Sequence, residues 1–283
     1  MKKIVVIGLG LVGGSLAIDL KKNSQRTVIG VDKSPIHCKK ALALGIANEI
    51  GDIHAVADAD IVIVAVPADA IPSVTESVLD TIGDNTLVFD VGSVKEQVCN
   101  QLKDHPKRKN YVAAHPIAGT EFSGPEAAFS GLFTNKINII CEQKASDKTI
   151  LDKALQLFDE LQMRTTFMQA DEHDKHIAYV SHLSHISSFM LGKTVLEIEP
   201  DEENIFNMAG SGFRSTVRLA KSSPAMWTPI FLQNKANVLK SLNEYIKNLE
   251  SFKMLIEQES NEDVFTMMQN TNRIKNILDG IVK

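Results

Sequence analysis

KIVVIGLGLVGGSLA, residues 3–17, decides the fold of this chain. Ile4 to Ile7 are continuously apolar, as in a strand covered on both faces of a parallel sheet. Gly8-Leu9-Gly10-Leu11-Val12-Gly13 then fits GxGxxG, and Gly14 doubles the third glycine. Alone the motif is weak. Here it follows a strand, opens a helix, and precedes Asp32, which closes the next strand 24 residues after Gly8. In that setting it reads as a dinucleotide-binding turn. Gly8 permits the tight turn, Gly10 lets a pyrophosphate approach the backbone, and Gly13 lets helix and strand pack closely. The helix start offers unpaired N–H groups and a positive dipole end to phosphate. Gly8, Leu9, Gly10, Leu11, Val12 and Gly13 are therefore candidate cofactor contacts. Asp32 should accept hydrogen bonds from ribose hydroxyls and repel a 2′-phosphate, so NAD is expected over NADP. Lys33 beside it is a cation that could hold a phosphate instead.

Working outward, further short apolar runs follow: TVIGVD (27–32), DIVIVAVP (60–67), TLVFDVG (86–92), YVAAHP (111–116), INIICE (137–142) and TTFMQA (165–170). Helical patterns at 34–44, 69–81, 94–103 and 147–162 lie between several of them. This is a βαβ series. From Asp171 onward strand signals vanish, and helices are expected near 172–197, 201–209, 213–221, 224–256 and 260–281. The expected class is α/β: an N-terminal Rossmann-type doubly wound parallel sheet (1–168), then an all-α C-terminal domain (169–283). Val238, Leu242, Tyr245, Leu249, Phe252 and Ile256 form a near-heptad stripe, which a homodimer through the C-terminal helices would bury. A monomeric bundle is the alternative.

Composition narrows the class. A formal charge of −5 gives no electrostatic reason to expect nucleic acid. Cys38, Cys99 and Cys141 are an odd, scattered set without CxxC, which fits a reducing cytoplasm. Lys2 and Lys3 before the apolar run Ile4–Ile18 imitate a signal peptide, but four glycines and Asp19 break the imitation and no cleavage signal follows. No stretch has eighteen uninterrupted apolar residues, so no membrane partner is expected. The expected location is cytoplasmic.

The chemistry-bearing residues fall at predicted strand ends. In a doubly wound sheet the carboxyl ends of the strands hold the ligand. Pro67, closing DIVIVAVP, is assigned to the cofactor edge. In FDVGSVKEQV (89–98), Ser93 can reach the reactive end of the cofactor or simply cap the helix that follows. In YVAAHPIAGTE (111–121), His115 ends a strand and is placed as a general base near neutral pH.

DEHDKHIAYVSHLSH (171–185) holds four of the eight histidines. On a helical wheel of roughly 100° per residue, Asp174, Ser181 and His185 share one stripe with Ala178 between them. His173 and His176 turn away from His185, and His182 lies to one side. The histidines do not converge, so no metal is expected. Arg214 and Arg218, four apart, share a helix face.

GLGLVGGSLA, DVGSVK, HPIAGTEFSG, HDKHIAYVSHLSH and GSGFRSTVRLAKSSPAMW together resemble the prephenate/arogenate dehydrogenase family of tyrosine biosynthesis. The motifs run in the family's order from residue 8 to 227. The resemblance implies NAD-dependent oxidative decarboxylation of a small cyclohexadienol dicarboxylate, prephenate or arogenate. It implies that His115 engages the 4-hydroxyl with Ser93 assisting, and that Thr120, Glu121, Ser181 and His185 line the substrate. It also implies that Arg218 binds a substrate carboxylate and Trp227 packs near it, from either subunit. Asp174 resembles a residue that holds the pocket together by an ionic contact. Ser184 stands where the family usually has proline, and GSGFRS where GGGFRD is more frequent. A β-hydroxyacid-type dehydrogenase or a non-catalytic dinucleotide sensor would not need His115 together with the arginines.

Overall fold

A computed structural model of the chain describes residues 2–22, 26–201 and 204–281. The chain divides into two compact units, Met1–Lys235 and Ala236–Lys283. The first is built on eight strands: β1 (Lys2–Ile7), β2 (Arg26–Val31), β3 (Glu49–Ile50), β4 (Ile61–Val64), β5 (Leu87–Asp90), β6 (Tyr111–Pro116), β7 (Ile137–Cys141) and β8 (Arg164–Met168). Their order in the sheet is β3-β2-β1-β4-β5-β6-β7-β8. The order reverses direction between β1 and β4, which makes the crevice beyond their carboxyl ends the ligand position of such a sheet.

All neighbours are parallel except β6 and β7. The segment between those two carries only a short 3-10 turn, Pro125–Ala127, in place of a crossover helix, so the chain returns antiparallel. β3 gave no sequence signal because two residues are too few to show a period.

Five helices flank the sheet: α1 (Leu11–Lys21), α2 (Pro35–Ala43), α3 (Ile71–Thr81), α4 (Glu96–Leu102) and α5 (Lys148–Glu160). The pleat of β1 explains the double winding. Ile4 and Val6 pack with Leu16, Leu20 and Phe158 on one face; Val5 and Ile7 pack with Val78, Leu79 and Leu102 on the other. Each such buried leucine stabilises by about 2 kcal/mol. Helix boundaries follow local chemistry. Ser34 caps α2 by accepting the His37 N–H, with Pro35 in the first turn. α2 stops at Gly45, which takes the left-handed conformation (φ +66°) while Ile46 N–H returns to the Ala41 carbonyl. Asp147 caps α5 through Thr149 N–H. α4 has no such local cap.

The helical segments differ from the sequence expectation at five places, one of them the helix expected over 260–281, which is two helices parted by a turn at Asn272 and Arg273. The single helix expected over 172–197 is α6 (Ala170–Ile177), a π-helical turn (Ala178–His182) and α7 (Leu183–Ile198). The helix expected over 213–221 is α8 (Ser211–Thr216) followed by a 3-10 turn, Arg218–Lys221. Buried Ser188 on α7 causes that break: its hydroxyl donates to the Thr216 carbonyl and accepts the Ala220 N–H, two groups a continuous helix would pair internally. The helix expected over 224–256 breaks at Asn234 into α9 (Pro224–Gln233) and α10 (Lys235–Glu257). Asn234 is buried and donates to the Asp174 carbonyl at 2.6 Å. The segment 201–209 is reduced to a 3-10 turn over Ile205–Met208, with 202–203 outside the described residues.

In the second unit, α10 continues from Ala236 and is followed by α11 (Asn261–Thr271) and α12 (Ile274–Ile281). Leu249, Ile256, Phe265, Ile277 and Leu278 are exposed along these helices. Among the described residues no helix is long and apolar enough to cross a membrane.

Candidate active site

β1, β4, β5 and β6 are parallel, so Gly8, Ala65, Val91 and the end of β6 with His115 share one edge. At Gly8 (φ +97°) an added Cβ would lie 2.3 Å from the Ala65 carbonyl oxygen, and at Gly13 it would lie 2.0 Å from the Gly8 oxygen. Both positions exclude a side chain on contact alone. Gly10 differs: a Cβ there would meet nothing within 4 Å. Its place as the residue before α1, with no side chain capping that helix, leaves open space beside free N–H groups. That is the cradle a pyrophosphate fits.

Asp32 follows β2 and is mostly shielded. Its Oδ2 accepts Leu9 N–H at 2.9 Å and its Oδ1 accepts Ser34 N–H at 2.8 Å. These bonds aim the carboxylate at the glycine turn. His37 Nδ1 lies 3.4 Å from Oδ2, while Lys33 is exposed and forms no ion pair among the described residues. Pro67 is exposed on the loop after β4.

Ser93 lies on the half-buried loop between β5 and α4. It is not the cap of α4, because that helix starts at Glu96. The N–H groups of Lys95 and Glu96 are instead taken by the Asp174 carboxylate, at 2.8 and 2.9 Å, from 79 and 78 residues away. A side chain reaching from α6 thus does the work of a local cap.

His115, 7% exposed, makes one side-chain hydrogen bond among the described residues: its Nδ1 is 2.8 Å from His173 Nε2. His173 Nδ1 is in turn 2.7 Å from Asp174 Oδ1. His115 Nε2 has no protein partner among the described residues and is not sealed from solvent. Burial first, then the neighbouring imidazole of His173, then the Lys95 cation and His182 hold the His115 pKa well below the usual 6.5. The ring is therefore neutral, and able to take a proton, throughout the neutral range.

Beneath it lies a buried ion pair. Lys95 Nζ bonds Asp90 and also donates to the carbonyl of Ala114, at 2.9 Å. Tyr111 donates its hydroxyl to Asp90 at 2.6 Å. Lys95 thereby ties the end of β5 and the Ser93 loop to the residue preceding His115. Removing one partner of such a pair costs about 3–5 kcal/mol.

Beyond the π turn, His185 stacks on Trp227 with ring centroids 3.5 Å apart, and its Nδ1 meets the Ser181 carbonyl at 3.0 Å. Burial, opposed by that carbonyl bond and aided by the Arg218 charge, lowers its pKa. Arg218 therefore acts on His185 within one chain, and Trp227 stands within one chain as well. The single helix expected to carry Arg214 and Arg218 is interrupted: Arg214 lies on α8 and Arg218 opens the 3-10 turn after it. Thr120 Oγ1 accepts Phe122 N–H at 3.2 Å, and Thr120 and Glu121 are half-buried on the loop after β6. Among the described residues no three His, Cys, Asp or Glu side chains form a metal-ligand set.

The family model described as "Prephenate dehydrogenase, nucleotide-binding domain" matches residues 16–167, and that described as "Prephenate dehydrogenase, dimerization domain" matches residues 169–270. The chain belongs to the prephenate dehydrogenase family. It is 32% identical to the prephenate dehydrogenase of Bacillus subtilis strain 168, over 98% of this chain and 76% of that one. Prephenate dehydrogenase from A. aeolicus, solved in complex with hydroxyphenyl propionate and NAD+, superimposes with a TM-score of 0.88 at 32% identity, covering 98% of each chain. Synechocystis arogenate dehydrogenase superimposes with a TM-score of 0.79 at 27% identity, covering 98% of this chain and 99% of that one.

Against the sequence expectation for this prephenate dehydrogenase family member, a further placement changes. The stripe of Asp174, Ser181 and His185 does not present three side chains to one point. The Asp174 carboxylate points to the start of α4 and to His173, while His185 faces Trp227. A wheel with a fixed angle per residue fails because the π turn lies between Asp174 and His185. His173, set aside by the wheel because it faces away from His185, is the histidine that touches His115, a partner on β6 that a wheel of one helix does not include. Lys95 and His173 gave one signal, their place beside motif residues: Lys95 closes DVGSVK and His173 opens HDKH.

Proposed function

We propose that this chain catalyses the NAD-dependent oxidative decarboxylation of prephenate to 4-hydroxyphenylpyruvate, in tyrosine biosynthesis. The observation that carries the reading is His115: a buried, neutral imidazole anchored through Nδ1, with Nε2 free, on the sheet edge it shares with the glycine turn.

Gly8, Leu9, Gly10, Leu11, Val12 and Gly13 hold the pyrophosphate, and Asp32 takes the ribose hydroxyls, with Lys33 and Pro67 flanking. When bound, NAD+ accepts the hydride released from C4 of the ring. His115 removes the 4-hydroxyl proton through Nε2, and Ser93 hydrogen-bonds the same oxygen. As hydride and proton depart, the ring carboxylate leaves as carbon dioxide and the ring becomes aromatic. Arg218 holds a substrate carboxylate with its forked donors. Thr120, Glu121, Ser181 and His185 orient the ring, and Trp227 backs His185, so the reacting carbon is held rather than tumbling.

Residues 1–168 serve as the dinucleotide-binding domain and 169–283 as the substrate-binding and dimerisation domain. The exposed apolar side chains of α10, α11 and α12 support a homodimer through these helices, and the three free cysteines suit the cytoplasm.

The deciding experiment measures NADH or NADPH formation with prephenate and with arogenate, each with NAD+ and NADP+. Turnover of prephenate with NAD+ is expected; no reduced cofactor from either substrate overturns the reading. A second reading, arogenate oxidation giving tyrosine directly, is favoured by the likeness to Synechocystis arogenate dehydrogenase.

A further inference from the structure

The buried chain Asp174–His173–His115 has a direction that follows from its first member. The Asp174 carboxylate meets three donors: Lys95 N–H, Glu96 N–H and the His173 ring. A carboxylate only accepts, so His173 Nδ1 carries a proton. A neutral imidazole has one N–H, which leaves His173 Nε2 as a lone pair. That lone pair sits 2.8 Å from His115 Nδ1, so His115 Nδ1 must be the protonated nitrogen there. His115 Nε2 is then the lone pair. The reverse arrangement would set the His173 Nδ1 lone pair against a carboxylate oxygen at 2.7 Å, two acceptors with no proton between them.

We propose that His173 is a positioning residue for the reaction: with Asp174 behind it, it fixes the tautomer of His115 so that Nε2 is the open base. This rests on the reading of His115 as the base. When His115 takes a proton on Nε2, its Nδ1–H strengthens its bond to His173, and the positive charge is shared toward the Asp174 carboxylate. The rings cross at 73° with centroids 5.1 Å apart, so they meet by an edge hydrogen bond rather than by stacking. The other charged or titratable groups acting on His115 are Lys95, before α4, and His182, in the π turn. Both oppose a cation on His115, as do burial and the His173 ring itself; what the His173–Asp174 arm supplies is the hydrogen bond that decides which nitrogen of His115 is open.

Two readouts test the proposal on the full chain. Nitrogen-15 NMR of the histidine rings, with His115 assigned by His115→Asn, reports the tautomer without needing turnover. In the wild type, His115 should carry its proton on Nδ1. In His173→Leu that preference should be lost. Steady-state kinetics should show kcat reduced on the order of 10²-fold with KM nearly unchanged, because the base rather than substrate binding is disarmed. His173→Gln, whose amide oxygen can accept the Nδ1–H, should restore the tautomer and most of kcat. A wild-type His115 protonated on Nε2, or a His173→Leu protein with wild-type tautomer and kcat, overturns the proposal. Should the leucine variant not fold, the wild-type and His173→Gln tautomers decide it. If the wild type oxidises neither prephenate nor arogenate, the functional reading falls, while the NMR result still decides the tautomer.

Discussion

His182 should make the protein lose stability in acid by a calculable amount. The ring is fully buried in the π turn, edge-on to Trp227 and Phe231. Its Nδ1 accepts from Asn234 at 3.3 Å, and its Nε2 is buried without a partner among the described residues. Burial, opposed by Asp174 and aided by His173 and His185, lowers its pKa from 6.5 to about 4. The folded state thus resists the proton that the unfolded state accepts. Below about pH 6.5 the unfolded chain binds more protons, so stability falls with pH until the folded pKa is passed. A shift from 6.5 to about 4 corresponds to about 3 kcal/mol. Urea unfolding of the wild type and of His182→Gln, at one protein concentration across a pH series, measures this. The amide oxygen of glutamine can still accept from Asn234 but cannot titrate. Carboxylates and His115 titrate in both proteins and cancel in the difference. The wild type should lose about 3 kcal/mol more than the variant between about pH 7 and about pH 4. Parallel curves would refute the argument.

Gly8→Ala should unfold or strongly destabilise the sheet edge, because its Cβ would sit 2.3 Å from a backbone oxygen; Gly10→Ala, with nothing within 4 Å, should keep its melting temperature yet weaken NAD+ binding in calorimetry. A Gly10→Ala protein binding NAD+ normally would remove the pyrophosphate from that turn. His115→Asn should lower kcat by roughly 10²–10⁴-fold with far less change in KM; unchanged kcat would take His115 out of the reaction. Arg218→Ala should raise substrate KM tenfold or more, about 1.4 kcal/mol of lost binding, without shifting the unfolding midpoint, since the residue is exposed. An unchanged KM would place the carboxylate elsewhere.

What the chain reveals before folding is what it encodes locally. The run from Lys3 to Ala17, the strand ends at Asp90 and His115, and the caps at Ser34 and Asp147 are decided within a few residues, and they are legible. The capping of α4 by Asp174 is not: three strands and the helix α5 separate the helix start from its cap along the chain. The same holds for Ser188 breaking the helix at Val217. Each is a polar side chain supplying a distant backbone with the bond that local helix geometry would otherwise provide. The π turn defeats a second kind of inference. Up to Ile177 a regular wheel is sound; five residues later it is out of phase, and the histidine cluster sorts itself differently.

The carboxylate of Asp174 serves two masters at once, the first turn of α4 and the ring of His173. That makes it an interlock. If α6 drifted away from α4, the helix would lose its cap and the base would lose its tautomer in the same movement. A breathing motion that admits or releases small molecules while the base stays armed must therefore hinge elsewhere, for instance in the loop carrying Thr120 and Glu121. The two hydrogen bonds of Asp174 are what tie α4 to α6.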